Sequence, residues 1–220
     1  MPHVFVETNW VVDCCAPAHN RVPAATDLLR RARNGDLQLY LPSICLAESR
    51  RPLSQKFQTR LEADRIRRYV TWALGEGRIA ADHADIVRTV IQQMENAVRD
   101  ELRVMEDALR ELAAAPGLEV INYDADMMGR AMEIGFRMPE IKPIDQAIFA
   151  CVIVRAERLY RGGDREMFFC ELDSDLQPWG RDGQRIEKLA TAYDDVNVWV
   201  CGDYLLQSPP VPENWHHRRD

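Results

Sequence analysis

Four carboxylates lie where apolar segments of the chain give way to polar residues, and we expect the chemistry of the protein to come from them. Glu7 and Asp173 each follow an apolar run that is typical of a buried strand. Glu48 and Asp145 lie early in predicted helices. Carboxylates that meet in one cleft repel each other unless something positive lies between them. The set therefore predicts a site for a cation.

The residue types narrow the choice of cation and of reaction. Oxygen ligands alone suit Mg²⁺ or Mn²⁺ and not zinc. One or two such ions in an acidic cleft activate water and stabilise the leaving oxygen of a phosphodiester. The expected chemistry is metal-assisted hydrolysis of a phosphodiester bond.

A layered α/β fold is needed to bring these residues together. Strands are predicted over residues 4–6, 37–41, 118–121, 167–170 and 196–200, with helices between them. This alternation predicts a mostly parallel α/β sheet, and such sheets place functional residues at the carboxyl ends of their strands.

Several local signals predict where the helices begin and end. Asn20 is expected to cap the second helix, and Pro52 is expected to interrupt the helix that carries Glu48. A helix over 125–136 is expected to bury Met128 and Met132, and a further helix is expected from Gly183 to Tyr193.

The segment from about 56 to 115 is predicted to be a helical insertion with its corner at 75–77. Its second arm, an uninterrupted helix over 82–113, would be roughly 48 Å long at about 1.5 Å per residue. Apolar residues recur there in steps of three and four, at Val87, Ile91, Met94, Val98, Leu102, Met105, Leu109 and Leu112. We expect a protruding hairpin that binds a second copy of the chain or a partner protein.

Composition limits the broad class of protein. The net charge of −7 provides no general attraction for nucleic acid. The six cysteines show no CxxC spacing, and no segment has the character of a signal peptide or a membrane span. We expect a cytoplasmic protein with no membrane partner, consisting of one domain over 1–206 with the insertion and a tail over 207–220.

The order of these segments resembles the PIN-domain nucleases. The matching pieces are residues 4–9, 41–48, 143–150, 168–176 and 196–205, and the resemblance covers about 3–55 and 118–206. It implies a PIN-like three-layer α/β/α fold with a central, mostly parallel sheet. It also implies a metal-dependent endoribonuclease that cleaves single-stranded RNA, often the toxin of a toxin–antitoxin pair, so that an antitoxin is a possible partner.

The resemblance assigns roles by position. Glu7, Glu48, Asp145 and Asp173 would be the catalytic carboxylates that bind Mg²⁺ or Mn²⁺. Asp175 would be an additional metal ligand, often through water. Thr8 and Asn9 would orient the first ligand or a bound water.

Two positions depart from the family pattern, and they define the main alternative. The first acidic position is usually aspartate and here is Glu7, and the threonine usually found two residues before Asp173 is here Glu171. The alternative function is a catalytically inactive PIN-like module that binds RNA or protein. A phosphatase with the pair Asp173 and Asp175 is a weaker alternative, because that pair lies too late in the chain. A glycosyltransferase could also use this pair, but the chain has no nucleotide-binding glycine loop.

Each carboxylate also has a purely structural explanation. Glu7 could pair with an arginine, and Glu48 is one turn from Arg51. Asp145 is favoured by the helix dipole in a first turn, and 173–175 has the composition of a turn. The convergence of all four on one predicted sheet edge favours a metal site.

Overall fold

The computed structural model describes residues 1–56, 60–180 and 183–206, and these form an α/β fold around one sheet. The sheet has five strands, all parallel, in the order β3-β2-β1-β4-β5. The strands are β1 (His3–Val6), β2 (Gln38–Pro42), β3 (Leu118–Ile121), β4 (Met167–Cys170) and β5 (Val198–Cys201). The parallel sheet flanked by helices agrees with the predicted fold class, and it is consistent with three layers.

Eight α-helices connect or flank the described strands. They are α1 (Thr8–Cys15), α2 (Pro23–Arg33), α3 (Ser43–Lys56), α4 (Arg60–Gly75), α5 (Ala81–Ala113), α6 (Ala125–Arg137), α7 (Pro143–Gly162) and α8 (Glu187–Asp194). One apolar core joins the sheet to the helices that cover it, and β1 is buried over its whole length. The predicted continuous apolar run at the start of the chain is therefore a central strand buried on both faces.

The helix that follows β1 begins immediately at the end of the strand. Glu7 is its N-cap, and a side-chain oxygen of Glu7 accepts a hydrogen bond from the backbone N–H of Asn9. The polar residues Glu7, Thr8 and Asn9 thus occupy the junction between a strand and a helix, where backbone N–H groups need acceptors.

Two predicted helix starts were wrong. Asn20 does not cap α2, because it closes a short 3₁₀ turn over Ala18–Asn20, and α2 starts at Pro23 instead. Proline suits the first helical position because its φ is already helical. Gly183 is not helical, since its φ is +76°, and α8 begins at Glu187 after an isolated bridge between Trp179 and Arg185.

Pro52 does not end α3, which was also predicted wrongly. The helix continues through Pro52 to Lys56, although proline cannot donate to the carbonyl of Glu48. Leu53, the next residue, is buried in the core, and this burial offsets part of the lost hydrogen bond.

The helices α4 and α5 form the predicted hairpin, and α5 is one continuous helix of 33 residues. Its apolar stripe faces inward: Ile91, Met105, Leu109 and Leu112 are buried. Arg67 of α4 contacts Glu95 through two hydrogen bonds of 2.6 Å, which join the two arms. The stripe therefore contributes to the internal packing of the chain.

Helix α6 occupies the expected position but buries a different face from the one predicted. Met127, Ala131 and Ile134 are buried, whereas Met128 and Met132 are exposed. All six cysteines are buried free thiols. Within the described ranges, no helix combines the length and apolarity needed to cross a membrane.

Candidate functional site

Two neighbouring strands end in glutamates that lie side by side. Val6 of β1 is opposite Cys170 of β4 in the parallel register. Glu7 and Glu171 are the next residues on the two strands, so the register brings both to the carboxyl edge of the sheet. Glu171 is fixed there by a hydrogen bond of 2.9 Å from its backbone N–H to the carbonyl of Cys201.

Two helices bring further carboxylates to the same edge. Helix α3 starts directly after β2, and its sixth residue is Glu48. Helix α7 starts at Pro143, and Asp145 lies in its first turn. Both placements agree with the expectation that these residues lie early in helices.

The predicted site residues line one cavity of about 210 Å³. Its polar lining residues are Glu7, Thr8, Asn9, Glu48, Lys142, Asp145, Glu171, Asp173 and Asp175. Cavities of about 470 and 800 Å³ lie elsewhere, but neither is lined by a predicted site residue. The smaller cavity is the candidate site, because its lining provides the carboxylates that the expected chemistry needs.

Glu7 is held at the inner wall of this cavity with one oxygen unpaired. The residue is 6% exposed, and its Oε2 accepts the N–H of Asn9 at 2.9 Å. Its buried Oε1 has no hydrogen-bond partner among the described residues. Burial raises the pKa of Glu7 well above its usual range, and the charge of Asp173 adds to this, while the bond from Asn9 partly opposes it. Burying this oxygen therefore costs desolvation free energy that no hydrogen bond from the described residues offsets.

Glu171 is even more buried, with 3% of its surface exposed. Its Oε1 accepts the backbone N–H of Asp173 at 3.0 Å. Burial raises the pKa of Glu171 strongly, and the charges of Glu7 and Asp173 raise it further. In the absence of a cation, the two glutamates do not both carry a full charge at neutral pH.

Thr8 and Asn9 contact other carboxylates of the set. The hydroxyl of Thr8 donates a hydrogen bond to Oε2 of Glu48. The side-chain amide of Asn9 donates to Oδ2 of Asp173 at 2.9 Å. The strand–helix junction thus orients carboxylates from α3 and from the segment after β4. In the described part of the chain, Glu48 accepts this bond from Thr8 and forms no ion pair with Arg51, which was the structural alternative for Glu48.

Lys142 and Asp175 form an ion pair at the rim, with 2.5 Å between Nζ and Oδ2. This hydrogen bond raises the pKa of Lys142, and the charges of Asp175 and Asp145 contribute to the same effect. Burial raises the pKa of Asp145, although the charge of Lys142 partly opposes that rise. Asp175, which the resemblance assigns as an additional metal ligand, is thus already paired with the ammonium group of Lys142.

The residues fit a hard divalent cation in their chemistry. All the candidate ligands are oxygens, and the unpaired Oε1 of Glu7 lies where a positive charge would satisfy it. In residues 1–56, 60–180 and 183–206, however, no three Asp, Glu, His or Cys side chains are arranged to hold a metal ion. Binding would therefore require the carboxylates to move towards one another around the ion.

Two of the polar lining residues were not assigned to the site from the sequence. Glu171 was noted only as a departure from the family pattern, although it directly follows a predicted buried strand, as Glu7 does. Lys142 precedes the proline that starts α7, and nothing in its sequence context marks it. The predicted tail over 207–220, which contains His216 and His217, lies outside the described residues.

Comparison with protein-family models, with characterised proteins and with solved structures finds no match for this chain. The case for a function therefore depends on the cavity and its carboxylates.

Proposed function

We propose that this chain is a PIN-type endoribonuclease that hydrolyses phosphodiester bonds of single-stranded RNA with bound Mg²⁺ or Mn²⁺. One observation carries the proposal. Glu7, Glu48, Asp145 and Asp173 come from four separate segments, and all four line a single cavity at the carboxyl edge of a parallel sheet.

The four carboxylates would hold the cation, which supplies activation of water and neutralisation of developing charge when it is bound. Thr8 keeps Glu48 in place and Asn9 keeps Asp173 in place through their side-chain hydrogen bonds. These contacts restrict the rotamers of two ligands, as a preorganised site requires.

Lys142 is suited to contact a phosphate of the RNA. It is the only basic residue among those lining the cavity in the described part of the chain. Its ammonium is drawn towards the cavity by Asp175 but remains largely exposed, with 70% of the side chain accessible. A phosphate oxygen entering the cavity would compete with Asp175 for this charge.

The test is cleavage of an end-labelled single-stranded RNA by the purified full chain with Mn²⁺ or Mg²⁺. Asp145→Asn should abolish cleavage while the far-UV circular dichroism remains that of the wild type. Asp126→Asn is the matched control, because Asp126 also lies in the first turn of a helix but lines no part of this cavity. Equal cleavage by the wild type and by Asp145→Asn would reveal a contaminating nuclease and refute the proposal.

The inactive PIN-like module remains the second candidate, favoured by a specific observation. As the described side chains stand, no three acids are arranged to hold an ion. Such a module would bind RNA or a protein but would leave the labelled RNA intact at every concentration of Mn²⁺. Metal-dependent cleavage that Asp145→Asn removes would exclude it.

The expected partner, a second copy of the chain or an antitoxin, would have to bind residues other than the buried stripe. Several large apolar side chains of the hairpin remain exposed, among them Tyr69, Trp72, Ile86 and Val90. The molar mass of the purified chain in solution, measured by light scattering, tests for the homodimer.

A further inference from the structure

The pair formed by Glu7 and Glu171 is the feature of the cavity that the four-carboxylate site does not explain. The two residues follow Val6 and Cys170, which are paired in the sheet, and both line the cavity. They are also the two most buried carboxylates of the cavity, and burying two acidic groups together is costly unless a proton or a cation compensates.

The hydrogen bonds of the pair leave Oε1 of Glu7 without a partner among the described residues. Oε2 of Glu7 is used by the N–H of Asn9, and Oε1 of Glu171 by the N–H of Asp173. Oε1 of Glu7 is buried and has no hydrogen-bond partner in the described part of the chain.

We propose that Glu171 is a metal ligand, and that Glu7 and Glu171 together bind a divalent cation at the inner end of the cavity. The inference rests on the proposed function, since it concerns the same cavity, but it adds a ligand that the resemblance does not assign. A site with several carboxylates around one or two ions matches the preference of Mg²⁺ and Mn²⁺ for carboxylate oxygens.

The alternative role for Glu171 is a neutral, protonated carboxyl that only fills space. The two roles predict different effects of Glu171→Gln on cation affinity, because glutamine keeps the shape and the acceptor oxygen but cannot carry the negative charge. A ligand loses affinity for the cation when its charge is removed. A neutral spacer leaves the affinity unchanged.

The experiment is a Mn²⁺ titration of the full chain, with free Mn²⁺ measured by electron paramagnetic resonance at neutral pH. We expect Glu171→Gln to raise the dissociation constant of Mn²⁺ by at least about tenfold. Asp100→Asn is the control for net charge, because Asp100 lies on the exposed side of α5 and its loss should leave the constant unchanged. Melting in chelator checks that each variant is folded.

The outcomes separate the inference from the proposed function. If the wild type binds Mn²⁺ and cleaves RNA but Glu171→Gln binds Mn²⁺ as tightly, the role of Glu171 is refuted and the nuclease proposal stands. If the wild type binds neither Mn²⁺ nor Mg²⁺, both are refuted. If Glu171→Gln is not folded in chelator, Glu171→Asp replaces it, and unchanged Mn²⁺ affinity in that variant also counts against a ligand role, because the carboxylate would then be about 1.5 Å short of the ion.

Discussion

Replacing Glu171 by glutamine should stabilise the metal-free protein at neutral pH. The folded protein holds a proton on this buried carboxyl, because burial and the charge of Glu7 raise its pKa. The unfolded chain releases that proton above the ordinary value of 4.5. The unfolded state then binds fewer protons, so the wild type loses stability as the pH rises from that value towards the raised pKa.

The size of the effect follows from the burial of Glu171. At neutral pH the penalty covers roughly 2.5 pH units at about 1.4 kcal/mol each, which sets a ceiling of about 3.5 kcal/mol. The new amide must find a partner for its N–H groups, which returns about 1 kcal/mol of that gain. We therefore expect Glu171→Gln to raise the free energy of unfolding by about 2.5 kcal/mol in the presence of a chelator.

Urea unfolding in chelator at two pH values measures this effect. The gain should be near its full size at about pH 7. At about pH 4.5, where the unfolded chain also keeps much of its proton, only the cost of the amide should remain, a loss of up to about 1 kcal/mol. Asp100→Asn, on the exposed side of α5, should show no such dependence. A gain of equal size at both pH values, or a loss at neutral pH, would refute the reasoning that Glu171 is protonated in the metal-free fold.

Three further substitutions test other parts of the structure. Lys142→Met should weaken RNA binding. In a plot of the logarithm of the binding constant against the logarithm of the salt concentration, the steepness of the slope should fall by about 0.7, the value for one lost phosphate contact. An unchanged slope would exclude that contact. Met105→Ala should lower the free energy of unfolding by about 2–4 kcal/mol, because Met105 is 3% exposed. The neighbouring Val104 is 57% exposed, and Val104→Ala should change the free energy of unfolding by less than about 0.5 kcal/mol. Equal effects of the two substitutions would mean that the apolar stripe of α5 is not part of the core. Glu7→Asp should weaken Mn²⁺ binding and slow cleavage, because the strand end is built around the longer side chain; a rise in both would identify Glu7 as a defect in an inherited site.

The sheet and the positions of the carboxylates were predictable because they depend on local signals. Short runs of branched and aromatic residues give buried strands, and parallel strands direct the residues that follow them to one edge. This was enough to bring Glu7, Glu48, Asp145 and Asp173 to one cavity.

The contacts within the cavity were not predictable, because they join residues that are far apart in the chain. The bond from Thr8 to Glu48 spans 40 positions and the pair of Lys142 with Asp175 spans 33. The register of β1 with β4 places Glu171 beside Glu7. The sequence does not reveal this pairing, and it shows Glu171 only as an acidic residue that follows a predicted strand.

Two of the wrong local predictions share a physical cause, since tertiary packing overrode a local preference in α6 and at Pro52. Packing of α6 buries Met127 and Ile134 and leaves Met128 outside, although both faces contain apolar residues. Burial of Leu53 in the core stabilises the part of α3 that follows Pro52.

Helix α5 packs in the core that includes the sheet over its C-terminal part, and this divides the stability of the helix along its length. Met105, Leu109 and Leu112 pack in the core that includes the sheet. Ala84 and Ile91 are also buried but lie outside that core, in the part of the hairpin where α5 packs on α4.

The part of the hairpin in which α5 packs on α4 can open without unfolding the sheet, because few tertiary contacts hold two helices that pack only on each other. Amide hydrogens near Ile91 should therefore exchange with solvent at a lower opening free energy than those near Leu109, within one unbroken helix. The hairpin tip is then a local folding unit whose opening leaves the carboxylate cavity intact.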